Sequence, residues 1–247
     1  MLNVIVNGAD GRMGRELCSL LEEREGDRLL ARVDPRFEKD ENARKFKRIT
    51  ECTEKGDVVV DFSFHTGTQE LCLYAAKTKT PLVVATTGQT ERERGMIALA
   101  SKKVPIFYCA NMSLGVSLTL CLTKIAAKAF PEAEIDIVEI HHDKKADAPS
   151  GTSLLLAEGI RSVRPSLRIS AGRIQNGARD KNELFVHSLR LGSSVGSHEV
   201  IFALPSQTVT IKHEAHDRRL FAEGALVAAH FVSEKENGLY SAEDILE

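Results

Sequence analysis

Over roughly its first hundred residues the chain alternates short apolar runs with stretches of helical spacing. LNVIVN (2–7) is an apolar run ending in a glycine-rich turn, which predicts a buried strand. RMGRELCSLLEER (12–24) places Met13, Leu17, Leu20 and Leu21 on one helical face. The same reading predicts strands at 28–34, 57–63, 81–88 and 104–111, with helices at 68–77 and 94–103 between them. Strands that are short and apolar on both faces, each followed by a helix, are the pattern of a parallel sheet covered on both sides.

After Asn111 the pattern changes. Residues 114–129 predict a long helix closed by Phe130-Pro131, and EIDIVEIHH (134–142) alternates as a strand with one exposed face does. A helix at 152–163 follows, then strands at 183–191, 197–205 and 207–215 joined in a mixed or antiparallel sheet. Residues 217–235 form an amphipathic helix suited to packing back on the first domain. The expected fold is therefore α/β. A Rossmann-like doubly wound parallel sheet (1–112) precedes a second α+β domain with a mixed sheet (113–216), and a C-terminal segment (217–247) returns to the first.

Composition narrows the function classes. Hydrophobic residues make up 43% and charged residues 28%, which excludes a largely disordered chain. A formal charge of −2 offers no general field for nucleic acid or an anionic membrane, so neither is an expected partner and any basic site must be local. No apolar run approaches the roughly 18 residues that span a bilayer. The start, MLNVIVNGADGRMG, lacks the features of a signal peptide. Five scattered cysteines without a C-x-x-C pair read as reduced thiols, and the expected compartment is the cytoplasm.

The first turn carries candidate chemistry. Gly8-x-x-Gly11-x-x-Gly14 lies between a strand and a helix, where glycines permit a tight turn, close approach of the backbone to a pyrophosphate, and close helix–strand packing. The phosphates would rest on the helix N-terminus, beside Gly8, Ala9, Asp10, Gly11, Arg12 and Met13. Asp34 closes the next strand twenty positions after Gly14, where ribose hydroxyls are expected. A purely structural turn is the alternative. Asp34 favours NADH, while Arg12, Arg36, Lys39, Arg44, Lys45, Lys47 and Arg48 nearby make NADPH acceptable, unless these cations form only a solvated face.

The densest chemistry lies in EIHHDKKADAPSGTS (139–153). In the plainer reading the histidines end a strand, the lysines are solvated and Ser150 caps a helix. In the other, His141, His142 and Lys145 surround an anion whose carboxylate rests on the Gly151 and Thr152 amides. Opposite charges ~4 Å apart interact by about 4 kcal/mol at an effective dielectric near 20, so such a cluster suits a small dicarboxylate and repels itself around a neutral ligand.

These segments together resemble the bacterial dihydrodipicolinate reductases, now called 4-hydroxy-tetrahydrodipicolinate reductases, over nearly the whole chain. EIHHDKKADAPSGT is similar to the family's E-x-HH-x-x-K-x-DAPSGT signature, and VNGADGRMG to its G-x-x-GRMG opening. DFS (61–63), TTG (86–88), ANMSLGV (110–116), VGSHEVIF (195–202) and RRLFAEGAL (218–226) match further family segments. The resemblance implies reduction of a cyclic imine dicarboxylate by NADH or NADPH in lysine and diaminopimelate biosynthesis. It also implies a cytoplasmic homotetramer whose second domain binds substrate and assembles subunits, and whose hinge closes on its ligands.

Carried over by position, the resemblance makes His141 the catalytic proton donor and Lys145 a second donor that orients substrate. His142, Gly151 and Thr152 become carboxylate ligands. Ala85, Thr86 and Thr87, with Cys109, Ala110, Asn111 and Met112, become the loops at the nicotinamide end. After hydride addition the resulting carbanion or enamine must be protonated, and a positioned acid typically contributes about 10²–10⁴-fold. The chain departs from the pattern at His65, where a proline is common. It departs again in RLGSSVGSHE (190–199), which lacks an acid of the common form, and at Pro35 after Asp34.

Two alternatives stand beside this reading. Another nicotinamide-dependent imine or amino-acid dehydrogenase would not need an HH-x-x-K loop running directly into Ser-Gly-Thr. A catalytically silent dinucleotide-binding regulator would tolerate loss of His141 or Lys145, and both are present. The histidines at 187, 198, 213, 216 and 230 lack metal-ligand spacing and read mostly as structural or exposed, and no metal is expected.

Overall fold

The alternate residues of each apolar run pack to opposite sides of a parallel sheet. In the computed structural model, which describes residues 1–38, 40, 42–174 and 176–246, the chain divides into two compact units. One comprises Met1–Ser113 with Arg219–Glu247, and the other Leu114–Arg218. Lys39, one of the basic residues noted above, lies outside the described residues.

The elements begin with β1 (Asn3–Asn7), α1 (Arg12–Glu23), β2 (Arg28–Val33), β3 (Lys45–Phe46) and β4 (Val58–Asp61). They continue with α2 (Thr68–Thr78), β5 (Leu82–Val84), α3 (Glu91–Ala100), β6 (Pro105–Tyr108) and α4 (Leu114–Ala129). Then come β7 (Glu134–His141), α5 (Gly151–Val163), β8 (Arg168–Ala171), β9 (Glu183–Arg190), β10 (Gly196–Leu204) and β11 (Gln207–Ala215). The chain closes with α6 (Arg219–Ser233), β12 (Gly238–Tyr240) and α7 (Glu243–Leu246).

The first sheet has seven parallel strands in the order β12-β6-β5-β4-β1-β2-β3. Val4, Val6, Val58, Val60, Val83 and Phe107 face one side, where they pack with Leu17, Leu20 and Leu21 of α1 and Ala225, Leu226 and Ala229 of α6. Ile5, Val59, Leu82, Val84 and Ile106 face the other side with Leu71 and Ala75 of α2 and Ile97 of α3. Burial on both faces explains why these strands read as unbroken apolar runs. The doubly wound expectation holds.

The second sheet is mixed, in the order β11-β10-β7-β9-β8. β7 lies at its centre, parallel to β9 and antiparallel to β10. Ile135 and Ile137 of β7 are buried with Val200, Phe202, Leu156 and Ile160. Further along, the same inward parity is occupied by Glu139 and His141, so the apolar floor gives way to two titratable groups near the strand's end.

Several elements differ from expectation for local reasons. Helix α3 begins at Glu91 because Thr90 caps it in a capping box, accepting from the Glu93 amide at 3.3 Å while Glu93 accepts from the Thr90 amide at 2.7 Å. That charged first turn carries no apolar period. Strands β3, β8 and β12 are short edge strands that owe their form to a neighbour. Among the described residues no helix is long and apolar enough to cross a membrane. All five cysteines are free, and burial pushes the thiols of Cys18 and Cys72 up to about 11.

Two glycines of the first turn are sterically required. Gly8 has φ +78°, and a Cβ there would lie 2.6 Å from the Phe62 carbonyl oxygen. A Cβ on Gly14 would lie 2.0 Å from the Gly8 carbonyl oxygen, so α1 can approach β1 only with glycine there. Gly14→Ala is expected to lower stability by about 3 kcal/mol or more, since the obstructing atoms are backbone. Urea unfolding of the two proteins checks this.

Candidate active site

The sequence-predicted cofactor residues gather at the carboxyl ends of the parallel strands. Gly8–Gly11 join β1 to α1, which opens with Arg12 and Met13, Asp34 follows β2, Ala85–Thr87 follow β5 and Cys109–Met112 follow β6. Strand order reverses between β1 and β4, and ligands of open parallel sheets bind in the crevice at such a point. Gly11 caps α1 with no side-chain acceptor, and the first turn holds no acidic residue, so the helix N-terminus suits an anion.

Asp34 is buried at 3% exposure and accepts from the Asp10 amide at 3.1 Å. The Arg36 guanidinium pairs with both its oxygens at 2.9 and 3.1 Å. Burial pushes this carboxyl upward, but the Arg36 and Asp10 donors outweigh it and hold it below its ordinary value. Beside Asp10 lies a groove of about 600 Å³ whose lining includes Arg15, Arg32, Phe37 and Lys45. Of the other cations of the segment, Arg48 pairs with Glu70 at 3.1 and 2.9 Å.

Asp61, which the sequence reading did not single out, organises the other loops. Its carboxyl accepts from Asn7 Nδ2 at 2.7 Å, Thr86 Oγ1 at 2.6 Å and the Ser63 amide at 3.3 Å. It thereby ties the ends of β1 and β4 to the Thr86 loop, and burial raises its pKa. Asn111 Oδ1 accepts from the Ser113 amide at 2.9 Å, and Met112 is buried in the core at 5% exposure. His65, the atypical residue, sets Nδ1 3.0 Å from Glu93, and thus braces the start of α3.

In the second unit the register of β7 assembles a polar cluster. Glu139 pairs across to Ser188 on β9 and His198 on β10, and His141 pairs to Arg190. Residues level with each other point to the same face, so Glu139, His141, His198 and Arg190 converge. Glu139 is fully buried, and its Oε1 accepts from the Ser150 amide and Arg190 Nη2, each at 3.0 Å. His141 Nδ1 lies 2.6 Å from Glu139 Oε2. His198 packs edge-on against the His141 ring with centroids 5.1 Å apart, and its Nε2 is 3.2 Å from Ser150 Oγ.

Burial pushes Glu139 upward, but Ser188, Arg190 and Ser150 donate to it and hold it below the usual carboxylate range. For His141 burial is the largest influence and lowers the pKa. The Glu139 charge opposes it, Lys145 and Arg190 reinforce it, and the net shift is downward. Burial carries His198 down to about 4, with the charge of His141 adding to the effect.

The loop after β7 is held by backbone bonds, with the His142 amide donating to Ser194 O at 2.8 Å. Lys145 Nζ lies 2.7 Å from Asp147, so its charge is paired. Ser150 caps α5, accepting from the Ser153 amide at 3.2 Å, and a Cβ on Gly151 would meet nothing within 4 Å. His141, Ser150 and the start of α5 are therefore brought together as the motif promised. His198, one of the later histidines, belongs to this cluster as a buried residue packed on the His141 ring.

Donor atoms of Glu139, His141 and His198 all lie within 4.8 Å of one another, the one metal-like grouping among the described residues. The 2.6 Å between Glu139 Oε2 and His141 Nδ1 is closer than the roughly 3.3 Å two ligand atoms keep on a tetrahedral zinc, and Arg190 already holds the other oxygen. The arrangement is that of a buried carboxylate in close contact with an imidazole.

A Rossmann-like sheet with an open glycine turn, and a second unit carrying a buried acid–histidine cluster beside a helix N-terminus, define the class of two-domain nicotinamide-type oxidoreductases. Residues 2–112 match the family described as "Dihydrodipicolinate reductase, N-terminus", and residues 115–246 match "Dihydrodipicolinate reductase, C-terminus". The chain belongs to the dihydrodipicolinate reductase family. It is 41% identical to the 4-hydroxy-tetrahydrodipicolinate reductase of Caldanaerobacter subterraneus subsp. tengcongensis, over 100% of this chain and 98% of that one. Identity to the Clostridium novyi enzyme of the same name is 40%, with the same coverage. The dipicolinate-bound dihydrodipicolinate reductase of Paenisporosarcina sp. TG-14 superposes with a TM-score of 0.84 at 26% identity, over 98% of this chain and 97% of that one.

The depressed pKa of His198 links stability to pH. Folding favours its neutral form, so its contribution is complete above the unfolded pKa near 6.5 and is lost as pH falls towards about 4. The amount is on the order of 3 kcal/mol. His198→Gln is expected to flatten that part of the stability profile, measured by chemical denaturation at stepped pH between those limits.

Proposed function

We propose that this chain is a 4-hydroxy-tetrahydrodipicolinate reductase, which uses NADH or NADPH to form tetrahydrodipicolinate in lysine and diaminopimelate biosynthesis. The observation that carries the reading is the HH-x-x-K loop at the end of β7 leading into the Ser150-capped start of α5, in a chain matched to the family over both halves.

Residues 1–112, with 217–247 returning to them, form the dinucleotide-binding domain, and 113–216 bind substrate and assemble subunits. The glycine turn suits a dinucleotide because it leads into a helix N-terminus with no side-chain cap and no acidic residue in its first turn. Gly8, Ala9, Asp10, Gly11, Arg12 and Met13 hold the pyrophosphate end. The Asp34–Arg36 pair offers an acceptor for a ribose hydroxyl and a donor for a 2′-phosphate at one place, which supports use of both nucleotides. Ala85, Thr86 and Thr87, with Cys109, Ala110, Asn111 and Met112, hold the other end. The bound dihydronicotinamide supplies a hydride.

His142, Lys145, Gly151 and Thr152 bind the substrate carboxylates. His141 delivers the proton that balances the hydride, and Lys145 stabilises the developing negative charge. Because the substrate carboxylates counter Lys145 and Arg190, their arrival raises the pKa of His141 and charges it when a proton is needed. In this reading the chain acts in the cytoplasm, as a homotetramer.

Freshly generated synthase product mixed with the protein should oxidise both NADH and NADPH. His141→Gln and Lys145→Ala should each lower kcat about a hundredfold or more. A protein that binds dinucleotide but oxidises neither with this substrate overturns the proposal, in favour of a regulator or another imine substrate.

A further inference from the structure

Glu139 is the innermost group of the cluster and has no assigned part in the reaction. Its carboxylate has no solvent exposure, although β7 ends at His141 and an exposed loop comes directly after it. One oxygen is fully engaged by the Ser150 amide and Arg190. Its other oxygen and His141 Nδ1 are both buried with no geometrically formed hydrogen bond among the described residues, and they lie 2.6 Å apart, so a small rotation of the ring pairs them. The remaining ring nitrogen, His141 Nε2, lies over Gly196, where a Cβ would come to 3.0 Å. An alanine there would crowd that nitrogen.

Resting on the reductase reading, we infer that Glu139 is a positioning residue: it accepts Nδ1–H of His141, so that Nε2 is the atom that hands the proton to substrate. Arg190 and the Ser150 amide keep Glu139 ionised and fixed, and through Ser150 the same carboxylate locates the start of α5. His198 supports the ring from β10. The carboxylate–imidazole pairing sets the tautomer, as it does wherever one ring nitrogen must be committed so that the other can react.

The charges facing His141 decide the pH dependence. Glu139 lies on its own strand, Lys145 on the following loop, Arg190 on β9 and His198 on β10, with His213 of β11 opposite His198. Only Glu139 among them favours the imidazolium. Removing its charge therefore lowers the pKa of His141 further, and the rate should fall at a lower pH as the imidazole loses its proton.

Glu139→Gln is expected to lower kcat about tenfold to a hundredfold at neutral pH, the range a misplaced group produces. KM for substrate should change less than about threefold, the basic limb of the kcat–pH profile should move to lower pH, and part of the activity should return in acid. Glu139→Asp, which keeps the charge, should restore that limb towards its original position. ¹⁵N spectra of the histidine rings, with His141 assigned by its loss in His141→Gln, should show neutral His141 carrying its proton on Nδ1 in the unaltered protein. A proton on Nε2 there, or a Gln variant with an unmoved limb, would overturn the inference. If the unaltered protein turns over no substrate, the reductase reading fails while the ring spectrum still decides the role of Glu139. Should Glu139→Gln fail to fold, that spectrum and the Asp variant's profile decide it.

Discussion

A buried carboxylate must be compensated by nearby donors, and in the second unit Glu139 draws them from elements far apart in the chain. Its donors come from Arg190 on β9 and the Ser150 amide at the entry of α5, and His141, two residues along its own strand, sets Nδ1 2.6 Å from its second oxygen. An ionised group so enclosed is costly unless all its contacts are kept. The helix start, the imidazole and the guanidinium are therefore fixed by one requirement.

The first unit solves a different problem, the close approach of backbone to backbone around the turn between β1 and α1. Glycines at 8 and 14 leave no room for side chains, and α1 begins without a side-chain cap. Asp61 plays there a part like that of Glu139, binding three chain segments from the sheet's carboxyl edge. Each unit thus uses a buried acid to fix the loops of its candidate site. The acids differ in state: burial dominates at Asp61 and raises its pKa, whereas donors dominate at Glu139 and lower it.

Much of this was legible beforehand. Apolar runs exposed the parallel strands because both sheet faces are covered, and the glycine spacing marked the turn after β1. His141, Lys145 and Ser150 were visible because they are neighbours in one loop. Glu139 was within the same motif, and its inward parity with Ile135 and Ile137 was the signal that it is buried. Short edge strands such as β3 and β12 gave no signal, since two or three residues carry no period and their form comes from a neighbour.

The sequence by itself determined the order of strands and helices, the glycine turn and the local clustering of histidines with a lysine. These are properties of residues near each other along the chain, governed by side-chain period and backbone freedom. Only the tertiary structure decided that His198 stands against His141, that Arg190 ties to Glu139 and that Asp61 holds Thr86. Those partners are 57, 51 and 25 residues apart, and they meet through strand register and loop packing, which local pattern does not encode.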